Sequence, residues 1–167
     1  MRDTIIYNNL CKNLGNLPTD DQSASLKEIA SYISENNNDT IFLLTGYAGT
    51  GKTSVISAVV KTLELLRMRS VLLAPTGRAA KVLASYAGRQ AFTIHKKIYR
   101  QKSSKDGMGS FVLDRNLHKD TYFIVDEASM ISNVSAEISL FGSGKLLDDL
   151  IEYVYSGTDC KLILVGD

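Results

Sequence analysis

The sequence has few of the residues that build metal centres. It contains two cysteines, Cys11 and Cys160, which lie far apart, and two histidines, neither of which stands near a cysteine. A structural zinc site needs four such ligands at short, regular spacings, so the sequence indicates none. A disulfide framework is not indicated either, and a reduced, cytoplasmic environment is the expectation.

Long apolar runs and a strong net charge are also missing. No apolar stretch approaches the ~18 residues of a membrane-spanning helix, and the first ten residues are too polar for a signal peptide. The formal net charge is +1, so any DNA-binding surface must be a local patch. The 167 residues, 44% hydrophobic and 22% charged, fit one globular domain with a substantial core.

Apolar runs alternate with helical patterns along the chain. Four continuous runs, at about residues 41–45, 71–75, 121–126 and 161–165, predict strands buried on both faces of a parallel sheet. Helices are predicted from Thr19 or Asp20 to the mid-thirties and at about 53–67, 79–86 and 146–155. Residues 1–18 are predicted to be an arm or a short helix, 101–110 a polar loop and 133–144 an irregular insert. This alternation predicts a layered α/β fold.

The first predicted strand runs into a complete phosphate-binding motif. The pattern G-x4-G-K-[ST] is matched by Gly46-Tyr47-Ala48-Gly49-Thr50-Gly51-Lys52-Thr53. Its glycines let backbone N–H groups surround a β-phosphate at a helix N-terminus. Lys52 can reach the β- and γ-phosphates, and the Thr53 hydroxyl can ligate Mg²⁺. The motif predicts a P-loop NTPase that binds ATP and Mg²⁺.

Two carboxylates end the third predicted strand. Asp126 is placed to hold Mg²⁺, and Glu127 to orient and deprotonate the attacking water. A second Gly-rich stretch, 142–145, lacks the upstream glycine and the strand of a P-loop. We therefore expect it to be a turn leading into a helix.

Five further segments complete a recognisable pattern. They are Thr19-Asp20-Asp21-Gln22, Ala74-Pro75-Thr76-Gly77-Arg78-Ala79-Ala80, Phe92-Thr93-Ile94-His95-Lys96, Asp126-Glu127-Ala128-Ser129-Met130 and Leu164-Val165-Gly166-Asp167. With the P-loop, they make the chain resemble the first RecA-like motor domain of superfamily one DNA helicases, closest to the RecD-like branch of the exodeoxyribonuclease V alpha subunit. The resemblance implies an N-terminal arm, 1–18, and a RecA-like three-layer domain with a mostly parallel sheet, 19–167.

The resemblance also implies roles for individual residues. Gln22 would read the adenine edge with its amide, the alternative being a solvated side chain. Contacts to single-stranded DNA would come from Pro75, Thr76, Gly77, Arg78, Thr93, His95 and Lys96. Thr76 can equally serve as a helix N-cap, and His95 can equally be packed at a helix start.

The family's second RecA-like domain, its arginine finger and its γ-phosphate-sensing glutamine do not occur in these residues. We expect a truncated motor that holds one wall of the ATP site and is inactive or very slow alone. The resemblance implies three kinds of partner, namely single-stranded DNA, the second domain, and nuclease or helicase subunits. It also implies a role in DNA repair or recombination. A small-molecule kinase or a nucleotide-dependent switch without motor activity is the alternative. A kinase would require a lid, and a switch would lack the DNA-contact segments.

Overall fold

The computed structural model describes residues 1–103, 105, 109–133 and 140–167. The helices are α1 (Arg2–Leu14), α2 (Asp20–Ser34), α3 (Lys52–Leu65), α4 (Gly77–Ala87), α5 (Ile94–Ile98) and α6 (Leu146–Ser156), with a 3-10 turn at Ala128–Met130. The strands are β1 (Ile41–Thr45), β2 (Arg69–Ala74), β3 (Ala91–Thr93), β4 (Tyr99–Lys102), β5 (Ser110–Leu113), β6 (Thr121–Val125) and β7 (Lys161–Gly166).

Five of these strands form one parallel sheet in the order β1-β7-β6-β2-β3. The other two, β4 and β5, pair as an antiparallel hairpin. Because the five strands run the same way, their carboxyl ends meet at one edge of the sheet. The residues predicted to form the site lie at these carboxyl ends and therefore share that edge. They are the P-loop, Asp167, Asp126, Thr76 and Thr93.

Two cores cover the two faces of the sheet except at β1, where Leu43 is 61% exposed, so the prediction that this strand is buried on both faces is wrong. Along β6, Tyr122 and Ile124 pack into a core with α1 to α4, while Phe123 and Val125 pack into a second core with α5 and α6. This alternation follows from the two-residue period of a strand, and burial on both faces explains why β6 is apolar throughout. The α/β, P-loop, RecA-like fold class predicted from the sequence is confirmed.

Some predicted elements differ from the structure. Residues 2–14 form a helix, the second of the two alternatives, because Ile6, Leu10 and Leu14 are buried against α2 and α3. The predicted loop at 101–110 is wrong at its ends, which pair as β4 and β5. Its residues 104 and 106–108, and residues 134–139 of the predicted insert, lie outside the described residues. The division into 1–18 and 19–167 stays a prediction.

Within the described ranges, no helix combines the length and the apolar character that crossing a membrane requires.

A buried lysine fixes α2 to the sheet. Lys161, on β7, is 4% exposed, and its ammonium donates hydrogen bonds to the carbonyl of Tyr32 at 2.7 Å and to that of Glu35. The Tyr122 hydroxyl donates to the Ile33 carbonyl at 3.0 Å. The last turn of an α-helix leaves its carbonyls without intrahelical partners, and these side chains supply them. Burial lowers the pKa of Lys161.

We expect Lys161→Ala to lower the free energy of unfolding by about 1–3 kcal/mol, because it leaves buried carbonyls of α2 without donors. Denaturant unfolding followed by circular dichroism measures this. The control is Lys119→Ala, since Lys119 is exposed and its loss should change stability by less than about 0.5 kcal/mol. Equal stability of the two variants would contradict the anchoring role.

Candidate functional site

The P-loop connects β1 to α3 and is open to solvent. Gly49 and Gly51 have φ of 81° and 85°, a left-handed conformation that glycine adopts without strain. Gly51 is the N-cap of α3 and offers no side-chain acceptor, so the first N–H groups of the helix are free to bind an anion. A Cβ on Gly46 would lie 2.7 Å from Thr50 Oγ1, so a side chain there would fill the cradle.

Gln22 lies against this loop. A Cβ on Gly51 would collide with the Gln22 amide nitrogen, and Gln22 lines a cavity of about 290 Å³ together with Gly46 and Lys52. Asp21, Ser25, Tyr47 and Val55 also line that cavity. Gln22 Oε1 already accepts a hydrogen bond from the Thr19 N–H at 3.1 Å, in a capping box that begins α2. The amide nitrogen and one further lone pair of the oxygen remain for a base edge.

Lys52 is held inside the site by acceptors of the protein itself. Its ammonium donates to the carbonyl of Gly46, to that of Tyr47 at 3.0 Å and to Asp167 Oδ1 at 2.7 Å. The pairing with Asp167 follows from the register, in which Thr45 at the end of β1 lies beside Gly166 at the end of β7. A bound triphosphate must therefore compete with the Asp167 carboxylate for Lys52.

Asp126 has both carboxylate oxygens engaged. Oδ1 accepts the Glu127 N–H at 2.8 Å, and Oδ2 accepts the Tyr86 hydroxyl at 2.5 Å. Its own N–H donates to the Leu73 carbonyl at 3.0 Å, which extends the β6–β2 pairing by one residue. Burial and the bonded Asp126 carboxylate raise the pKa of Tyr86, so this phenol stays protonated and donates at neutral pH.

Glu127 has an unusual backbone for its residue type. Its φ of 54° and ψ of 38° are left-handed, a conformation that is uncommon outside glycine. The Glu127 N–H donates to the side chain of the adjacent Asp126, and the Glu127 side chain is exposed at the strand end. The 3-10 turn that follows packs on Gly166, where a Cβ would lie 2.9 Å from the Ser129 nitrogen.

The donors at this edge fit a Mg²⁺ ion that is shared with phosphates. The exposed Thr53 lies in the first turn of α3, and Asp126 is half exposed. Over the described ranges, no group of three or more His, Cys, Asp or Glu side chains could hold a metal by itself. A few protein oxygens completed by substrate phosphates are the usual ligands of Mg²⁺ in nucleotide sites.

The segments predicted to contact DNA end the neighbouring strands. Thr76 caps α4 by accepting the Ala79 N–H at 3.2 Å, and Thr93 caps α5 by accepting the Lys96 N–H at 3.2 Å. Pro75 is half buried, and Gly77, Arg78 and Lys96 are exposed. Both threonine hydroxyls keep donor capacity for a phosphate, so capping and DNA contact are compatible.

His95 is half buried among aromatic rings. Its ring centroid lies 4.9 Å from that of Phe141 and 5.7 Å from that of Tyr99, and burial lowers its pKa. This geometry fits the alternative in which His95 is packed at a helix start, and a DNA contact by His95 stays a prediction.

One cavity is shared by the carboxylates and a segment predicted to contact DNA. It has a volume of about 270 Å³, and its walls include Thr76, Arg78, Asp126 and Glu127. The sequence motifs identify these residues, and the predicted parallel sheet brings them to one edge, but the contact of Tyr86 with Asp126 and the hydrogen bond of Lys52 with Asp167 were not predicted. The Gly-rich stretch at 142–145 is a turn before α6, as predicted.

A family model described as an AAA domain matches residues 19–167. The chain belongs to this AAA domain family. An ATP-dependent RecD2 DNA helicase from Deinococcus radiodurans is 32% identical over 144 residues, covering 84% of this chain and 17% of that protein. An uncharacterized protein of Methanocaldococcus jannaschii is 33% identical over 135 residues, covering 74% and 11%. One of Acanthamoeba polyphaga mimivirus is 28% identical over 169 residues, covering 87% and 31%.

The AAA domain thus spans at most 31% of the length of these relatives. The family and the RecD2 likeness support a helicase-like, ATP-binding P-loop domain. Membership of the exodeoxyribonuclease V alpha branch stays a prediction.

We expect Lys52→Ala to abolish or strongly weaken binding of an ATP analogue with Mg²⁺, because the triphosphate loses its main cation. Isothermal titration calorimetry of the purified domain measures this. Lys145→Ala is the matched control, since Lys145 ends the second Gly-rich stretch, 142–145, and is exposed. An affinity of the Lys52 variant equal to that of the control would remove Lys52 from the site.

Proposed function

We propose that this AAA domain is the ATP-binding motor unit of a DNA helicase that couples ATP hydrolysis to movement on single-stranded DNA. The observation that carries the proposal is the cavity shared by the carboxylates Asp126 and Glu127 and the DNA-segment residues Thr76 and Arg78. When a nucleotide site and a site for a DNA strand share a wall, binding at one site can change binding at the other. A kinase or a simple switch would not need basic and capping residues at that wall.

In the proposed mechanism the P-loop binds ATP through the N–H groups of α3, and Lys52 leaves Asp167 for the β- and γ-phosphates. Gln22 holds the adenine edge beside Gly51. Mg²⁺, held by Thr53 and Asp126, would supply charge neutralisation on the phosphates. Glu127, exposed at the end of β6, accepts the proton of the attacking water.

The DNA strand is proposed to cross the ends of β2 and β3. Thr76, Gly77 and Arg78 open α4, and Thr93 and Lys96 lie at the start of α5. Helix N-termini with hydroxyl caps favour phosphate oxygens, so the contacts would follow the backbone with little dependence on sequence. Such binding weakens as salt rises.

Turnover is proposed to require a second motor domain. Phosphoryl transfer in P-loop enzymes commonly gains about 10³–10⁵ in rate from an arginine that a second element supplies. Translocation also needs two DNA-binding sites that move relative to one another, and this domain is proposed to provide one of them. The domain alone is expected to bind ATP and to hydrolyse it slowly.

We expect Glu127→Gln, in the full-length protein, to keep ATP binding and to lose most turnover, because an amide cannot accept the proton of the water. Steady-state phosphate release and nucleotide titration measure the two properties. The control is Glu152→Gln, a change at an exposed position of α6 away from the strand ends, and it should retain turnover. Near-normal hydrolysis by the Glu127 variant would exclude Glu127 as the base.

We expect Arg78→Ala to weaken binding of single-stranded DNA and to reduce the DNA-stimulated ATPase of the full-length protein several-fold, because one phosphate contact is lost. Fluorescence anisotropy with oligo(dT) at two salt concentrations and phosphate release with and without DNA measure this. Lys81→Ala is matched in charge and exposure one turn further along α4, and it should have little effect. ATP hydrolysis that single-stranded DNA does not stimulate, even in the wild type, would favour a switch or a kinase instead.

A further inference from the structure

Asp126 depends on other groups for its orientation. It follows the last residue of β6, where the sheet no longer constrains the side chain, and it is half exposed. The N–H of the adjacent Glu127 holds one of its oxygens at 2.8 Å. The second oxygen is held by the hydroxyl of Tyr86, forty residues earlier in the chain.

Tyr86 is well supported for this task. It lies in the last turn of α4, is half buried, and packs against the core that includes α3. The Ser57 hydroxyl, on α3, donates to the Tyr86 carbonyl at 3.4 Å. Tyr86 therefore connects Asp126 to the helix that begins with Lys52 and Thr53, through its hydroxyl on one side and its backbone on the other.

The position of this contact matters for a shared metal site. Thr53 and Asp126 come from different elements, α3 and the end of β6, and both must face the same point between the phosphates. A donor that fixes the rotamer of a metal-holding carboxylate typically raises metal affinity, because the ligand does not have to be ordered on binding. Tyr86 is the side chain that provides this donor to Asp126 in the described residues.

We propose that Tyr86 is a positioning residue for the nucleotide site, whose hydroxyl orients Asp126 toward the Mg²⁺ that accompanies ATP. The inference rests on the proposed function, since it concerns the metal site assigned there. It adds a residue that neither the P-loop nor the carboxylate motif contains. The phenol ring supports the fold, whereas the hydroxyl serves the carboxylate, so the two roles are separable by removing one oxygen atom.

The test compares the affinity of the 167-residue chain for the ATP analogue AMP-PNP in Mg²⁺ with that in EDTA. The ratio of the two dissociation constants is the gain that Mg²⁺ provides. We expect Tyr86→Phe to reduce this gain about tenfold, the lower end of the effects seen when a metal ligand loses its orienting group. Affinity in EDTA should not change, because the P-loop and Lys52 are intact.

Tyr122→Phe is the matched control. Tyr122 is also buried and donates its hydroxyl to a carbonyl, that of Ile33, but it lies at the opposite end of β6. It should keep the full gain from Mg²⁺. A second comparison uses Asp126→Asn, in which Tyr86→Phe should have no further effect on the gain if the hydroxyl acts through that carboxylate.

The possible outcomes distinguish a failure of the inference about Tyr86 from a failure of the proposed function. An unchanged gain in Tyr86→Phe, or an increased gain because the hydroxyl competes with the metal, would overturn the positioning role. Equal losses of affinity in Mg²⁺ and in EDTA would also overturn it, since they would mean that Tyr86 only supports the fold. A wild-type chain with no gain from Mg²⁺ would remove the proposed metal site itself.

Discussion

Parallel pairing of five strands in one sheet is the constraint on which the site depends. It brings the carboxyl ends of all five strands to one edge of the sheet, and the order β1-β7-β6-β2-β3 places those ends side by side. The P-loop and Asp167 follow the first two strands, Asp126 and Glu127 follow the third, and Thr76 and Thr93 lie at the last two. Residues more than a hundred positions apart, such as Lys52 and Asp167, become hydrogen-bonded neighbours for this reason alone.

The two halves of the nucleotide site differ in how far they are arranged before a ligand arrives. The P-loop is exposed, and Lys52 satisfies its donors with two carbonyls and a carboxylate that a triphosphate must replace. Asp126, in contrast, is fixed through both oxygens, by a backbone N–H and by Tyr86. Exchange of partners at Lys52 and retention of partners at Asp126 suit the roles proposed for them, a lysine that would bind incoming phosphate and a carboxylate that would hold Mg²⁺ in place.

Much of this arrangement could be predicted from the sequence, and the remainder could not, for physical reasons. The strands β2, β6 and β7 are apolar runs because both of their faces are covered, and the P-loop motif is local. The strand β1 is equally apolar, although Leu43 on one of its faces is 61% exposed. In β4, which reads Tyr-Arg-Gln-Lys, only Tyr99 is buried, and the exposed residues pair with β5. Composition alone therefore suggested a loop from Gln101 onward. The helical spacing of Ile6, Leu10 and Leu14 was a usable signal for α1. The hydrogen bonds of Tyr86 with Asp126 and of Asp167 with Lys52 are long-range, and although Asp167 ends one of the family segments, no local pattern predicts either bond.

The position of β2 within the sheet has a further consequence. It lies between β6 and β3, so the loop at its end adjoins the carboxylates on one side and the Thr93 segment on the other. The helix α4 starts in that loop at its cap, Thr76, and carries Tyr86 in its last turn. In the proposed function, a DNA strand at the start of α4 and a nucleotide beside Asp126 would therefore be linked by one helix of 11 residues. The hydrogen bond between Tyr86 and Asp126 joins the last turn of that helix to the carboxylate.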